Sequence, residues 1–251
     1  MIVLSIDRMT GDVASVSVPR NLQHLPVPPA LRATFPKGFN DLANALYTYV
    51  MVRPQLGLDP AQTIKGALAE LLGIPIDNYI LVDMTGFVAI VNALGGVILD
   101  LSTKVEMIPD MEGHREAVPV VGPGPVHLDG TMALSFVRTR ETDSDYGRMN
   151  RQRCLLASVV RQTSPTDLAL NYPRLAGAVE ESFRSDIPRE RLGDLVRLFA
   201  KVDVDEARSL VLVPPVIKPG SPDVAKIRGL VAALLAGGRP TADPAATRPT
   251  C

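Results

Sequence analysis

The sequence predicts an α/β fold, a three-layer α/β/α arrangement around a central mixed β-sheet. Three observations predict it. Two alternating strands open the chain, at residues 1–7 and 13–18. An apolar strand, a helix and a second apolar strand follow one another between Ile76 and Leu101. Helical apolar spacing recurs before and after that unit. At 251 residues, 46% of them hydrophobic, the chain is long enough to bury a large core. One domain is expected over residues 1–236, followed by a disordered tail over 237–251 rich in Pro, Ala and Thr.

In order, residues 1–7 (MIVLSID) read as a buried strand and 13–18 as its hairpin partner, with the turn at Arg8 to Asp12. Arg20 comes just past that strand's end, where α/β sheets place ligand-binding groups. Residues 23–37 are a proline-rich loop. Residues 39–52 read as a helix with Asn44 and Tyr47 on one face. Pro60 opens a helix over 61–72, apolar at Ile64, Ala67, Leu68 and Leu71, and Gly73 ends it. Residues 76–83 (IDNYILVD) are expected as a central strand, 85–94 as a helix and 97–101 as a strand. The apolar strands of this unit argue for a sheet covered on both faces. Asp83 reads as structural rather than catalytic. Residues 103–125 are expected as a loop, with a short hairpin as the other reading, and the spacing of His114 from Asp110 and Glu112 is not diagnostic of a metal site. Beyond residue 163, Ser164 to Asp167 caps a short helix. Helices follow over 174–182, 188–200 and 223–235, with a strand at 209–213 and Ser221-Pro222 capping the last helix.

The chemistry concentrates in residues 127–153, HLDGTMALSFVRTRETDSDYGRMNRQR. Arg138, Arg140, Arg148, Arg151 and Arg153 fall within sixteen residues, between apolar runs. Asp129-Gly130 opens a short helical stretch through Leu134. Arg138-Thr139-Arg140 alternates as an extended segment with both arginines on one side. Turn and cap residues Thr142 to Asp145 should start a helix that runs to Gln162. On that helix Arg148, Arg151 and Gln152 share a face near the positive end of the dipole. Guanidinium groups aimed at one spot repel one another, and a shared anion relieves the repulsion. Planar forks suit phosphate or pyrophosphate oxygens. Surface ion pairing with Glu141, Asp143 and Asp145 is the competing reading of the same charge pattern.

This segment resembles the signature of the LytR-CpsA-Psr family, LDG…AL.(Y/F).R.R…DSD..R..RQ. The matching residues are Leu128-Asp129-Gly130, Ala133-Leu134, Phe136, Arg138, Arg140, Asp143-Ser144-Asp145, Arg148 and Arg151-Gln152. Residues 17–21 (SVPRN) are similar to the family's SIPRD unit, and residues 76–101 to its IDYYVLVDM.GFV.LVDALGGV.VDV pattern. Leu42 stands where the family's K.N.AY segment has lysine, leaving Lys37 and Arg53 as candidates for that cationic contact. The resemblance implies an LCP-like fold and a phosphotransferase. Such an enzyme attaches a glycopolymer from a polyprenyl-pyrophosphate carrier to cell-wall peptidoglycan at the outer face of the cytoplasmic membrane. The implied pyrophosphate site comprises Arg20, Arg138 and Arg140 as catalytic groups, with Arg148, Arg151, Gln152, Asn44 and Asp145 binding substrate. It also implies Mg2+, held in the family by acidic residues of a D.R…SDT segment just before the first strand. Met1 aligns where that segment ends. The expectation is therefore a truncated reading frame, with the metal aspartates and a membrane anchor upstream and no metal ligand within this chain. The alternative is a non-catalytic polyprenyl-phosphate-binding protein of the cell envelope.

Composition excludes other classes. A net charge of -1, no Trp and 4% aromatic residues give neither the basic surface nor the stacking platform of a nucleic-acid binder. No apolar run reaches the length of a membrane span of about 18 residues. The two cysteines are Cys154 and Cys251. A disulfide between them suits an extracellular protein, while a buried free Cys154 with a loose Cys251 is the other reading.

Overall fold

The computed structural model of the chain describes residues 1–108, 119–140, 145–163, 182–203, 206–238 and 251. The elements are β1 (Ile2–Ile6), β2 (Val13–Ser17), α1 (Pro29–Arg32), α2 (Ala45–Met51), α3 (Pro60–Leu72), β3 (Ile80–Val82), α4 (Met84–Ala93) and β4 (Val97–Leu101). They continue with β5 (Val105–Glu106), β6 (Val120–Val121), β7 (Gly124–Leu128), α5 (Gly130–Arg138), α6 (Asp145–Gln162) and β8 (Phe183–Ser185). The last are α7 (Leu192–Phe199), β9 (Arg208–Val211) and α8 (Val224–Leu235). The mixed α/β class is as expected. The chain divides into two compact units, Met1–Tyr79 with Glu206–Ala246, and Ile80–Asp205 with Thr247–Cys251.

In the first unit the opening hairpin forms as the alternation predicts. β1 runs antiparallel to β2, from Ile2 opposite Ser17 to Ile6 opposite Val13. The Asp7 carboxylate ties the turn, accepting from the backbone N–H groups of Met9 and Thr10 at 2.8 Å each. Those bonds, Thr10 first, hold the Asp7 carboxyl below its ordinary range. β9 joins β2 in parallel, Ala14 opposite Arg208, so this three-stranded sheet is mixed. Its middle strand β2 is buried along with Leu22, Leu25, Leu46, Leu71, Leu210, Ile227 and Leu234 in one core. α3 and α8 are capped at their starts by Asp59 and Asp223 side chains accepting from Gln62 N and Lys226 N. They pack together, with Arg228 donating twice to Glu70 O at 3.1 and 2.6 Å. The helix expected over 39–52 begins only at Ala45. The backbone before it is already engaged. Phe39 pairs with Leu25 in an isolated bridge, and Ala43 N donates to Arg20 O at 2.8 Å. The Arg53 guanidinium lies 3.9 Å over the Tyr49 ring and donates to Tyr49 O, which commits it locally.

The second unit corrects the expected strand-helix-strand crossover. β3 covers only Ile80–Val82 of the expected central strand, and Ile80 is 59% exposed. β3 pairs antiparallel with β8, whereas β4 pairs antiparallel with β7, so the two strands flanking α4 lie in different ladders. The cause is visible on β4. β7 fills one edge, and the Gln162 amide occupies the other at Ile98, accepting from its N–H at 2.8 Å and donating to its C=O at 2.7 Å. With β5 and β6, strand pairing among the described residues forms four small sheets rather than one central sheet. Asp83 caps α4 by accepting from Gly86 N at 2.8 Å, in line with its structural reading. A second core gathers Val91, Val97, Leu99, Leu128, Phe136 and Cys154.

Cys154 and Cys251 are joined, with their Cα atoms 5.7 Å apart. The rest of the tail from residue 239 lies outside the described residues, as do His114, Asp110, Glu112, the expected cap at Ser164 to Asp167 and all but the last residue of the expected helix at 174–182. Among the described residues no helix is long and apolar enough to cross a membrane.

The disulfide closes a loop of 97 residues onto the buried end of the second core. Reduction is expected to cost about 2–5 kcal/mol, read as a lower thermal midpoint in dithiothreitol. Cys251→Ala should show the reduced midpoint with or without reductant, and a midpoint insensitive to both treatments would contradict the bridge's role.

Candidate functional site

The signature residues build an end-on junction between two helices. Leu128 ends β7 fully buried, and Asp129 turns the chain into α5 by accepting from Met132 N at 2.8 Å. Gly130 is required by proximity. A Cβ there would lie 2.2 Å from Val88 O, so α5 meets the α4 backbone at a distance only glycine permits. Gly130 N also donates to the Asn92 side chain at 2.7 Å. The LDG triplet is thus a strand end, a cap and a close crossing.

α5 runs further than expected. Arg138 is its last residue rather than part of an extended segment, and Thr139, at ψ 149°, leaves the helix. Ser135 and Thr139 lie four residues apart on one face. Ser135 Oγ accepts from Ile108 N at 2.9 Å and donates to Ile108 O at 3.0 Å, while Thr139 Oγ1 donates to Glu106 O at 2.7 Å. These two hydroxyls stitch α5 to the β5 segment. Reading residues 138–140 as a strand hid their common face, which a helix extended to Thr139 would have shown.

α6 begins at Asp145, as the turn residues predicted; Asp143 and the Asp145 side chain lie outside the described residues. Arg151 corrects the expected picture of an open arginine face. It is only 6% exposed. Its Nε donates to Phe136 O at 2.9 Å, its Nη2 donates to Thr139 O, and the guanidinium stands 5.9 Å from the Phe136 ring. Gln152 Nε2 donates to Val137 O at 3.3 Å. Arg151 and Gln152 thus grip the last carbonyls of α5, groups that a helix end leaves without partners. Arg153 is buried as well and donates to Asn150 Oδ1 at 3.0 Å.

Arg138 and Arg140 are exposed, and Arg148 is half-buried about one turn before Arg151 on α6. No hydrogen bond or ion pair engages the Arg138 guanidinium among the described residues. The structure therefore brings Arg138, Arg140, Arg148, Arg151 and Gln152 to one helix junction, with Arg151 and Gln152 as its supports. Arg20 and Asn44 belong to the other unit. Arg20 is half-buried directly after β2, and Asn44 is exposed ahead of α2 with no side-chain cap bond.

A model of the LytR_cpsA_psr family matches residues 1–212. The chain belongs to this family. It is 27% identical over 197 residues to the polyisoprenyl-teichoic acid–peptidoglycan teichoic acid transferase TagU of Bacillus cereus strain AH820. That match covers 78% of this chain and 56% of that protein, so the chain spans little more than half the length of this curated relative. Among solved structures, B. subtilis TagV superposes with a TM-score of 0.68 at 21% identity, over 95% of this chain and 89% of that one. TagT bound to LIIa-WTA gives a TM-score of 0.67 at 20% identity, over 94% and 83% of the two chains. These likenesses show the family's α/β fold.

Two substitutions separate support from exposed charge. Arg151→Ala leaves Phe136 O and Thr139 O without their donor and should cost about 2–4 kcal/mol. Arg138→Ala should stay within about 0.5 kcal/mol of the parent. Urea melts of both variants check this, and equal midpoints would count against the anchoring role. Gly130→Ala forces α5 away from α4 and should lose about 1–3 kcal/mol by overpacking, measured by the same melts.

Proposed function

We propose that the chain is the catalytic part of a phosphotransferase that attaches a glycopolymer to peptidoglycan from a polyprenyl-pyrophosphate carrier. The observation that carries this reading is the α5–α6 junction. There the family signature's Arg138, Arg140 and Arg148 project from a frame that Arg151 and Gln152 hold. Family membership supports it, as do the teichoic acid transferase TagU and the like-folded TagT bound to LIIa-WTA.

In this mechanism the guanidinium groups of Arg138, Arg140 and Arg148 bind the pyrophosphate oxygens. The attacking hydroxyl oxygen of a peptidoglycan sugar forms a new bond to the phosphorus that bears the glycan. The hydroxyl proton leaves to a base, and the bond to the prenyl-bearing phosphate breaks. Polyprenyl monophosphate departs, and the glycan phosphate remains on peptidoglycan. Phosphoryl transfer is mainly positioning and charge stabilisation, which fixed arginines supply.

The described residues do not by themselves fit the Mg2+ that the family resemblance implies. Among them no three His, Cys, Asp or Glu side chains converge, and Asp83 and Asp129 are engaged as helix caps. Ligands for Mg2+ would have to come from outside the described residues, so no step is written through the ion. The reaction places the protein at the outer face of the cytoplasmic membrane, where carrier lipid and peptidoglycan meet.

Arg138→Ala and Arg140→Ala should each weaken binding of a polyprenyl pyrophosphate by roughly tenfold or more, the scale of one charge-assisted contact, with the thermal midpoint kept. Fluorescence titration with farnesyl pyrophosphate reads the affinity. Unchanged affinity in both variants would refute the arginine site. Release of polyprenyl monophosphate on adding a peptidoglycan acceptor distinguishes transfer from binding alone.

A further inference from the structure

We infer that α7 and the turn before it form a docking surface for an anionic lipid bilayer, separate from the arginine junction. The sequence RERLGDLVRLFAK over residues 189–201 places Leu192, Val196 and Phe199 at i, i+4 and i+7. Such residues share one face of a helix. None of the eight residues of α7 is buried. Leu192 and Val196 are each 40% exposed and Phe199 is 39% exposed, whereas Leu195 and Leu198 are half-buried. The helix thus turns one apolar edge inward and presents a second to solvent.

The charges around that stripe say what covers it. Arg189 and Arg191 stand in the 3-10 turn Arg189–Arg191 that leads into α7, and Lys201 follows its end. No ion pair engages any of these three among the described residues. On the polar side, Arg197 is spent on Asp194 at 2.5 Å. Residues 189–201 hold four basic and two acidic side chains, a local excess of positive charge on a chain whose net charge is -1. An apolar stripe with cations at both ends matches acyl boundary and anionic headgroup together. Long cationic side chains reach headgroups while their stems and the neighbouring apolar groups sink. An apolar protein partner would satisfy the stripe but leave the end charges unanswered. The inference does not depend on the proposed reaction, although a carrier lipid would make bilayer contact useful.

The test is co-sedimentation of the full chain with vesicles free of prenyl lipid. Vesicles of phosphatidylglycerol with phosphatidylcholine should bind it, and phosphatidylcholine alone should bind it far less, with binding falling as salt rises. The double variant Val196→Asp/Phe199→Asp should lose roughly tenfold in partitioning with an unchanged thermal midpoint. Arg189→Gln/Arg191→Gln should weaken binding to the anionic vesicles only. Arg138→Ala should bind vesicles like the parent; its loss of binding would assign the effect to the arginine junction and overturn the inference. Parent chain that ignores anionic vesicles would overturn it too. So would a dimer in sedimentation velocity that Val196→Asp/Phe199→Asp splits, because the stripe would then seat a second copy.

Discussion

A buried guanidinium closing a helix end is the interaction on which the second unit depends. Burial of an unpaired charge is costly, and Arg151 meets that cost with the carbonyl end of α5. Phe136 O and Thr139 O accept from it, and the helix dipole presents its negative pole at the same place. The chain leaving α5 is thereby given a fixed exit. Thr139 Oγ1 fastens that exit to Glu106 O from the other side. α6 then acts as a strut. Arg151 and Gln152 engage α5 near its start, Cys154 is bridged to Cys251 within the second core, and Gln162 seals the free edge of β4 at its far end.

Most of this fold was legible in local chemistry, because local chemistry decides it. The opening hairpin followed from alternation and an Asp-bearing turn. α3 followed from Pro60 at its start and Gly73, at φ 71°, at its end. What was not legible was pairing. β3, α4 and β4 have the apolar pattern of a parallel crossover, but pattern does not say which edge a strand offers. Here an amide from α6, sixty-four residues away, takes the edge at Ile98. Likewise the start of α2 was misplaced because the bridge between Leu25 and Phe39 is a long-range event that residues 39–44 do not announce.

The site was legible in membership and less so in roles. Period and charge placed Arg148, Arg151 and Gln152 on one face, and α6 does carry them together. Their division of labour depends on α5 running to Arg138. Once it does, its orphan carbonyls need donors, and the buried residues of α6 supply them. The signature segment therefore mixes two demands. Asp129, Gly130, Arg151 and Gln152 answer to geometry that can be seen in the free protein, namely a cap, a close crossing and a closed helix end. Arg138 and Arg140 stand exposed at the end of α5 and just beyond it, and the proposed ligand contact rests on them.

That division also explains how a chain with no overall positive charge can hold so many arginines in one place. Arg138 occupies the last turn of α5, where the helix dipole favours a cation, and Arg151 is satisfied by the same helix end. Both are stable without a ligand. Arg148 is in the opposite position, in the first turn of α6, where the dipole adds to its own charge. The α5 end lowers the potential that the cluster would otherwise build, and the α6 start raises it. The proposed anion would gain from Arg138, Arg140 and Arg148 and from the α6 dipole, while the Arg151 donors are already engaged by Phe136 O and Thr139 O. The backbone frame of the junction is thus held by Arg151 and Gln152 without a ligand, and the proposed binding would not have to build it.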